Sequence, residues 1–418
     1  MGQDGGYTSL TAMLKTTSTP TFPQLYHGDC LEVLPHLSAV DAVVTDPPYG
    51  LSFMGKDWDH GIPGVVFWEA ILAAMKPGAH LLAFGGTRTH HRLMVAIEDA
   101  GFEIRDMLMW VYGSGFPKSL DVGKAIDKAA GAEREVVGYR EHPTLKDSTK
   151  IQRQTSSQYH ANNSIRDEWD ITAPATEAAQ QWNGWGTALK PAYEPIILAR
   201  KPLEGTVAEN VLKYGVGALN IDACRIDLRG DYKSKPNGRP SQTGLGDNYN
   251  PELANKPDAQ GRWPANLMHD GSPEVLALFP QSSITGNRSA RSKAAKVEET
   301  NWLESNHESQ EYTDSGSAAR FFYCPKASNA DRGNKTYAEL PLFGVEAEKV
   351  QNEHPSVKPT ELMRYLITLV VPPGGIVLDP FMGSGSTGVA CDTERFIGIE
   401  KDEIYYKRAI SRMTGGDF

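Results

Sequence analysis

The chain has 418 residues, 40% of them hydrophobic and 22% charged, and a formal net charge of −10. That length suits one large domain with insertions or two to three smaller ones, and the acidic balance argues against a uniformly basic nucleic-acid coat while leaving room for a local basic groove. Four scattered cysteines (Cys30, Cys224, Cys324 and Cys391), with no Cys-x-x-Cys pair and no His at zinc spacing, read as reduced thiols rather than a metal site. No charged n-region precedes an apolar run at the start, and no apolar run reaches membrane-spanning length, so a soluble cytoplasmic protein without a membrane partner is expected.

Residues 1–20 are rich in Gly, Ser and Thr and read as a loose tail. Order is expected from the short strand around Gln24–His27, with Gly28-Asp29-Cys30 as its turn and Leu31–Leu37 as one or two helical turns. Val40–Thr45 is an apolar run with the look of a buried parallel strand, stopped by Asp46-Pro47-Pro48-Tyr49. Neither proline can donate to a sheet ladder and each fixes φ. The result is a rigid elbow that shows a carboxylate, free carbonyls and an aromatic ring where open α/β sheets bind ligands. Gly50 to Asp59, which includes Phe53, Lys56 and Trp58, reads as a loop over that position.

A helix over Val65–Met75, a strand over His80–Phe84 closed by Gly85-Gly86, a helix over Thr89–Ala100 and a strand over Glu103–Tyr112 follow. This alternation indicates βαβ units and a mostly parallel sheet. His90 and His91 read as helix-surface residues. From about 115 to 185 the pattern dissolves, and order returns as a strand at Ala192–Arg200. Residues from about 203 to 325 are again irregular, with short islands at Val216–Ile226 and Arg262–Leu267. Two clusters of positive charge stand here: Arg225, Arg229, Lys233, Lys235 and Arg239, then Arg288, Arg291, Lys293 and Lys296. They suit either solvated loops or phosphate contacts to a nucleic acid.

The C-terminal part carries His354-Pro355-Ser356-Val357-Lys358-Pro359, a helix from Thr360 to about Val371, and a strand at Ile376–Asp379. Pro380-Phe381-Met382-Gly383-Ser384-Gly385-Ser386-Thr387-Gly388 follows, with a helix start, a strand ending at Glu400 and a last helix from Glu403 to Met413. Gly383, Gly385 and Gly388 match G-x-G-x-x-G between a strand and a helix, with Glu400 placed to take ribose hydroxyls. Any adenosine-bearing cofactor could use such a loop. The phosphate loop of ATPases is excluded, because no Gly-Lys-Ser/Thr follows. A hydride-transfer domain would carry several more strands after Glu400, so the sheet is expected to be completed from the N-terminal third instead. That places the Asp46 elbow and the glycine loop on one sheet edge.

With both motifs in hand, the sequence resembles the amino-group DNA methyltransferases that use S-adenosylmethionine, in the permuted order often called beta. The resemblance rests on Asp46-Pro47-Pro48-Tyr49, on Phe381-Met382-Gly383-Ser384-Gly385, on His354–Pro359 and on Gly28-Asp29-Cys30. It implies an α/β, Rossmann-like methyltransferase fold, circularly permuted, with a mostly parallel twisted sheet and a large inserted recognition region. The implied division is a tail (1–20), a catalytic half (21–130), a polar insertion (131–189), a core strand (190–202), a target-recognition region (203–330) and a cofactor half (331–418). It implies Asp46, Pro47, Pro48 and Tyr49 as catalytic residues. S-adenosylmethionine contacts would come from Asp29, Cys30, Asp46, His354, Ser356, Lys358, Asp379, Pro380, Phe381, Gly383, Ser384, Gly385, Ser386, Thr387, Glu400 and Lys401, with no metal. Lys56, Trp58, Arg225, Arg229, Lys233, Lys235, Arg239, Arg288, Arg291 and Lys293 are the DNA-contact candidates.

Double-stranded DNA is the implied partner, and the resemblance leaves room for a homodimer and a cognate restriction endonuclease. Asp rather than Ser at position 46 leans toward the N6 amine of adenine. N4 methylation of cytosine is the alternative, with a nicotinamide enzyme or a protein or RNA methyltransferase further behind. A bacterial, phage or mobile-element origin fits the same resemblance.

Overall fold

Short apolar runs bounded by Gly, Pro or Asp build the central sheet. Its strands are β1 (Gln24–His27), β2 (Val40–Thr45), β3 (Met75–Phe84), β4 (Glu103–Val111), β5 (Tyr193–Arg200), β6 (Leu267–His269), β7 (Ile376–Asp379) and β8 (Arg395–Glu400). In this computed structural model, which describes residues 22–51, 61–113, 115, 119–141, 168–226, 261–282, 316–325 and 358–414, the eight strands lie in the order β1-β8-β7-β2-β3-β5-β4-β6. β5 runs antiparallel to both of its neighbours, and every other pairing is parallel.

The helices packed on it are α1 (Cys30–Val33), α2 (Val65–Ala73), α3 (His90–Asp99), α4 (Val207–Tyr214), α5 (Thr360–Val370), α6 (Ser386–Ala390) and α7 (Glu403–Thr414). Side chains alternate across a strand, so each strand feeds two cores. Val43, Leu81, Ile197 and Leu378 pack with Val33, Trp68, Ile71, Leu93 and Ile97 from α1, α2 and α3. Val44, Leu82, Ile196 and Val377 pack with Leu362, Leu366, Val370, Ala390 and Ala409 from α5, α6 and α7. Covering both faces explains why these strands read as continuous apolar runs.

β7 lies directly against β2, with Val377 opposite Ala42 and Leu378 opposite Val43. The C-terminal strands therefore complete a sheet begun near the N-terminus. Asp41 helps to fasten this join: its buried carboxylate accepts from Lys76 Nζ at 2.6 Å and from the Ile376 amide at 2.7 Å.

Two expectations change here. The helix expected over Val65–Met75 ends at Ala73, and Met75 already belongs to β3, opposite Val40. The β2–β3 register shifts between Val40 and Ala42, which absorbs Pro77 and the left-handed Gly78. The stretch from 203 onward is also less irregular than its composition suggests. Thr206 and Glu209 form a capping box on α4, and left-handed Gly215 ends it.

Gly115–Pro191 forms a second compact unit. Where the hydrophobic pattern dissolves, this unit nevertheless has a helix at Val122–Ala129, an antiparallel pair at Val136–Glu141 and Glu168–Thr172, and a short helix at Glu177–Gln181. A polar hub joins them. The buried Asp127 carboxylate accepts from Arg134 at 2.9 Å, from the Ala175 and Thr176 amides at 3.0 Å and from the Thr176 hydroxyl at 2.8 Å. Among the described residues, no helix is long and apolar enough to cross a membrane.

Candidate active site

Asp46-Pro47-Pro48-Tyr49 leaves the carboxyl end of β2, with Pro47 buried and Asp46 partly open. The Tyr49 hydroxyl donates to Asp46 Oδ1 at 2.7 Å, folding the elbow back on itself. Lys358, immediately ahead of α5, sends its ammonium to within 2.7 Å of Asp46 Oδ2, and it also donates to Tyr49 Oη at 3.2 Å. Glu194 completes the group: its Oε2 lies 3.1 Å from Lys358 Nζ and 3.2 Å from Tyr49 Oη, within reach as a second acceptor for that hydroxyl. The position of Glu194 follows from the single reversed strand. Because β5 runs against its neighbours, its first residues reach the edge where β2 and β3 end, and Phe84 at the end of β3 pairs with Ile196.

Burial works against the charge on Lys358, whose side chain is 4% exposed, but Asp46 and Glu194 outweigh it and hold the lysine above its ordinary pKa. The ammonium also lies 4.9 Å from the Phe84 ring centre and 5.4 Å from that of Tyr49. Burial first, then the charge of Asp46, pushes the Tyr49 hydroxyl well up, so it stays a proton donor at neutral pH. Burial and Glu194 push Tyr112, just past β4, up to about 12.

The neighbouring strand β7 ends in the second half of the site. Asp379 is buried and accepts from the Thr45 and Thr387 hydroxyls at 2.6 Å each and from the Phe381 amide at 3.2 Å. Thr45 directly precedes Asp46, so this carboxylate ties the elbow to the glycine loop. Desolvation raises Asp379 to about 7, since its hydrogen bonds only partly offset the loss of water. Gly383 and Gly385 take φ of 55° and 81°, conformations that L side chains rarely adopt. A Cβ on Gly388 would meet Phe396 Cε1 at 2.7 Å, so the third glycine lets α6 close on β8.

Glu400 ends β8 beside the loop and accepts from the Gly383 and Asp402 amides, each at 2.7 Å. Arg412 from α7 donates to the Ser384 carbonyl at 2.6 Å, to Ser384 Oγ at 3.0 Å and to Ser386 Oγ at 3.3 Å. Pro380 is buried, and the Phe381 ring lies 6.2 Å from that of Phe67 and 6.3 Å from that of Trp68. Asp29 caps α1 through the Leu31 amide at 3.0 Å and pairs with Lys401, also at 3.0 Å. Cys30 is buried in the core, and burial pushes its thiol up to about 12.

Asp46, Tyr49 and Lys358 thus meet at one point. Thr387 and the loop's base residue Asp379 meet at the next, while Asp29, Glu400 and Lys401 flank the glycine loop. Arg225 is drawn inward instead: its side chain is 13% exposed, donates to Asp222 at 2.8 Å and to the Gly261 carbonyl at 3.1 Å, and packs over the Trp263 ring. His354, Ser356, Phe53, Lys56, Trp58, Arg229, Lys233, Lys235, Arg239, Arg288, Arg291, Lys293 and Lys296 lie outside the described residues. Among the described residues, no group of three or more His, Cys, Asp or Glu could hold a metal ion.

Reading the sequence missed Glu194, Thr45 and Gly86. Glu194 had a faint signal, a lone acid at the entry of an apolar strand. Gly86 had none: a Cβ there would meet Thr89 Oγ1 at 3.1 Å and Tyr49 Cδ2 at 3.3 Å.

A family model for N6/N4 methyltransferases, described as DNA methylase, matches residues 40–411. The chain is 22% identical over 344 residues to the type II methyltransferase M.HindIII of Haemophilus influenzae, covering 81% of this chain and 64% of that protein. Over 78 residues it is 38% identical to the type II methyltransferase M.Cfr9I of Citrobacter freundii, covering 18% of this chain and 26% of the relative. In both cases the match spans less than two thirds of the relative's own length. The crystal structure of an M1.HpyAVI–SAM complex aligns with a TM-score of 0.38 at 15% identity, covering 93% of this chain and 98% of that one. PvuII DNA methyltransferase, titled cytosine-N4-specific, aligns with a TM-score of 0.37 at 13% identity, covering 93% of this chain and 85% of that one.

Proposed function

The chain belongs to the N6/N4 DNA methylase family, and we propose that it transfers a methyl group from S-adenosylmethionine to the exocyclic N6 amine of adenine in double-stranded DNA. The observation that carries this reading is the adjacency of two motifs, a carboxylate on a proline-locked elbow at the end of β2 and a two-glycine loop at the end of β7.

The loop suits the cofactor on physical grounds. Backbone held at positive φ leaves room for a ligand to approach closely, and Glu400 places a carboxylate where ribose hydroxyls would donate. When bound, S-adenosylmethionine supplies an electrophilic methyl on a sulfonium, so the protein's task is to ready the amine.

An aryl amine is a poor nucleophile because its lone pair is delocalised into the ring. The Asp46 carboxylate and the Pro47 carbonyl would accept its two hydrogens, draw the nitrogen toward tetrahedral geometry and stabilise the positive charge that develops. Tyr49 and Lys358 each occupy one lone pair of a different Asp46 oxygen, which orients the carboxylate and leaves acceptor capacity on both. The prolines keep those acceptors from drifting, and small misplacements cost rate steeply. The target base must leave the duplex at a cost of a few kcal/mol, and stacking on the Tyr49 ring would return about 1–3 kcal/mol. Under the same reading, residues 203–330 serve target recognition, and the paired-enzyme setting is a restriction–modification system.

Incubating the protein with labelled S-adenosylmethionine and DNA, then digesting the DNA to nucleosides, tests the proposal. Label on N6-methyl-2′-deoxyadenosine is expected. Label on N4-methyl-2′-deoxycytidine would overturn the choice of base, and unlabelled DNA would overturn the function.

A further inference from the structure

Four polar side chains from three distant segments share one cluster, and only some of them are needed to explain how an amine is activated. Asp46 and Pro47 suffice as acceptors, and Lys358 as the orienting cation. Glu194 is left over, in hydrogen-bond reach of both Tyr49 Oη and Lys358 Nζ. Its placement answers a question that the reaction raises. As the amine takes the methyl, a nitrogen–carbon bond forms while the sulfur–carbon bond of the sulfonium breaks, and the nitrogen is left positively charged. It must then release a proton, and Asp46 is the group in contact. Asp46 in turn needs a way to pass that proton on before the next turnover.

We propose that the Tyr49 hydroxyl and Glu194 form a proton exit from Asp46. Protonated Asp46 gives its proton from Oδ1 to Tyr49 Oη as Tyr49 gives its own to Glu194 Oε2, so one carboxyl is discharged as the other is charged and the phenol is regenerated. The distances along this path are 2.7 Å and 3.2 Å. The hydroxyl donates to Asp46 in the resting arrangement, and rotation about its C–O bond turns it to Glu194.

The other neighbours cannot take this role. Lys358 is held as an ammonium and has no lone pair. Tyr112 faces Glu194 from beyond β4 and hydrogen-bonds to that carboxylate, whereas it is Tyr49 that lies against Asp46. Asp379 is 2% exposed and is satisfied by Thr45, Thr387 and the Phe381 amide, with no opening to water. The Glu194 side chain is 20% exposed, so it can release the proton to solvent. The groups facing Glu194 are thus Lys358 from ahead of α5, Tyr49 from the elbow and Tyr112 from the end of β4, with Asp46 beyond Tyr49.

This inference rests on the methyl transfer proposed above. Its test is steady-state methylation by Glu194→Gln, by Tyr49→Phe (which keeps the ring and removes the hydroxyl) and by the double variant. Each single variant is expected to lose about tenfold or more in kcat with little change in KM for DNA, and the double variant to be no slower than the slower single. Added azide or imidazole should restore much of the rate of Glu194→Gln, and Glu194→Asp should recover part of it, neither of which a merely structural role would explain. A full rate in Glu194→Gln, losses that multiply in the double variant, or an absence of buffer rescue would overturn the relay while leaving the methyltransferase reading intact. A wild-type protein that transfers no methyl to DNA would overturn both.

Discussion

At the end of β2, the Asp46 carboxylate meets an ammonium ion from 312 residues away, while at the end of the adjacent β7 the Asp379 carboxylate meets, among the described residues, two hydroxyls and an amide. The elbow is held by full charges and keeps contact with water, Asp46 being 21% exposed. Asp379, at the base of the glycine loop, is held by neutral donors and is 2% exposed, while Arg412 and Glu400 hold the loop itself. Charge pairing gives the elbow a fixed direction, which suits a group that must meet a developing positive charge. The positive-φ glycines let the loop's backbone approach a ligand, while neutral donors leave its base residue an acid whose ionisation is disfavoured close to neutral pH.

The largest expected effect separates the two halves. Asp46→Ala should lower methyl transfer by about a thousandfold or more while leaving S-adenosylmethionine binding nearly unchanged by calorimetry. Gly385→Arg should instead lose cofactor binding in the same titration, and methyl transfer with it. The reason is geometric: a side chain at φ of 81° is strained, and its Cβ would meet Met413 Cε at 2.8 Å.

Lys358→Met tests whether the elbow depends on its ion network for stability. It leaves Asp46 and Glu194 facing one another without a cation, and chemical denaturation should register a loss of about 3 kcal/mol, the low end for a broken buried pair because both acids touch water. An unchanged midpoint would mean that the network orients groups without stabilising the fold.

On the glycine-loop side, the lever is pH. A carboxyl raised from 3.8 to about 7 keeps in the folded protein a proton that the unfolded chain releases. Its contribution to stability is therefore complete below the ordinary aspartate value and is lost as pH rises through about 7. Asp379→Asn carries no such ionisation. Between pH 5 and pH 8 its Tm relative to wild type should move in favour of the variant, and a constant difference would show Asp379 ionised throughout.

The smallest effect is expected from Gly86→Ala. The new Cβ would press on Tyr49 Cδ2 and Thr89 Oγ1. A shift of a few tenths of an ångström in the ring should lower kcat about threefold to tenfold with cofactor affinity unchanged.

Much of this was legible in the residues themselves. The run Val40–Thr45 ending in Asp-Pro-Pro-Tyr, and Ile376–Asp379 leading to Gly383 and Gly385, carry their strand endings and turn chemistry locally. Period and proline geometry act over a few residues, so the two motifs and most strands and helices could be read directly. The elements within Gly115–Pro191 were not read from the sequence, because what joins them is a polar hub at Asp127 whose partners lie up to 49 residues away along the chain. Arg225 shows the same limit from the other side, since a positive charge in the sequence does not say whether Asp222 and Trp263 will enclose it.

What the sequence determined by itself was a pair of motifs, each complete within a few residues, and the family to which they point. The tertiary structure decided which partners meet them. Lys358 reaches Asp46 from ahead of α5, and Glu194 reaches Lys358 because β5 alone runs against the sheet and delivers its first residues to the edge where β2 and β3 end. Strand direction and strand order are set by the packing of whole layers, so no local pattern announces them.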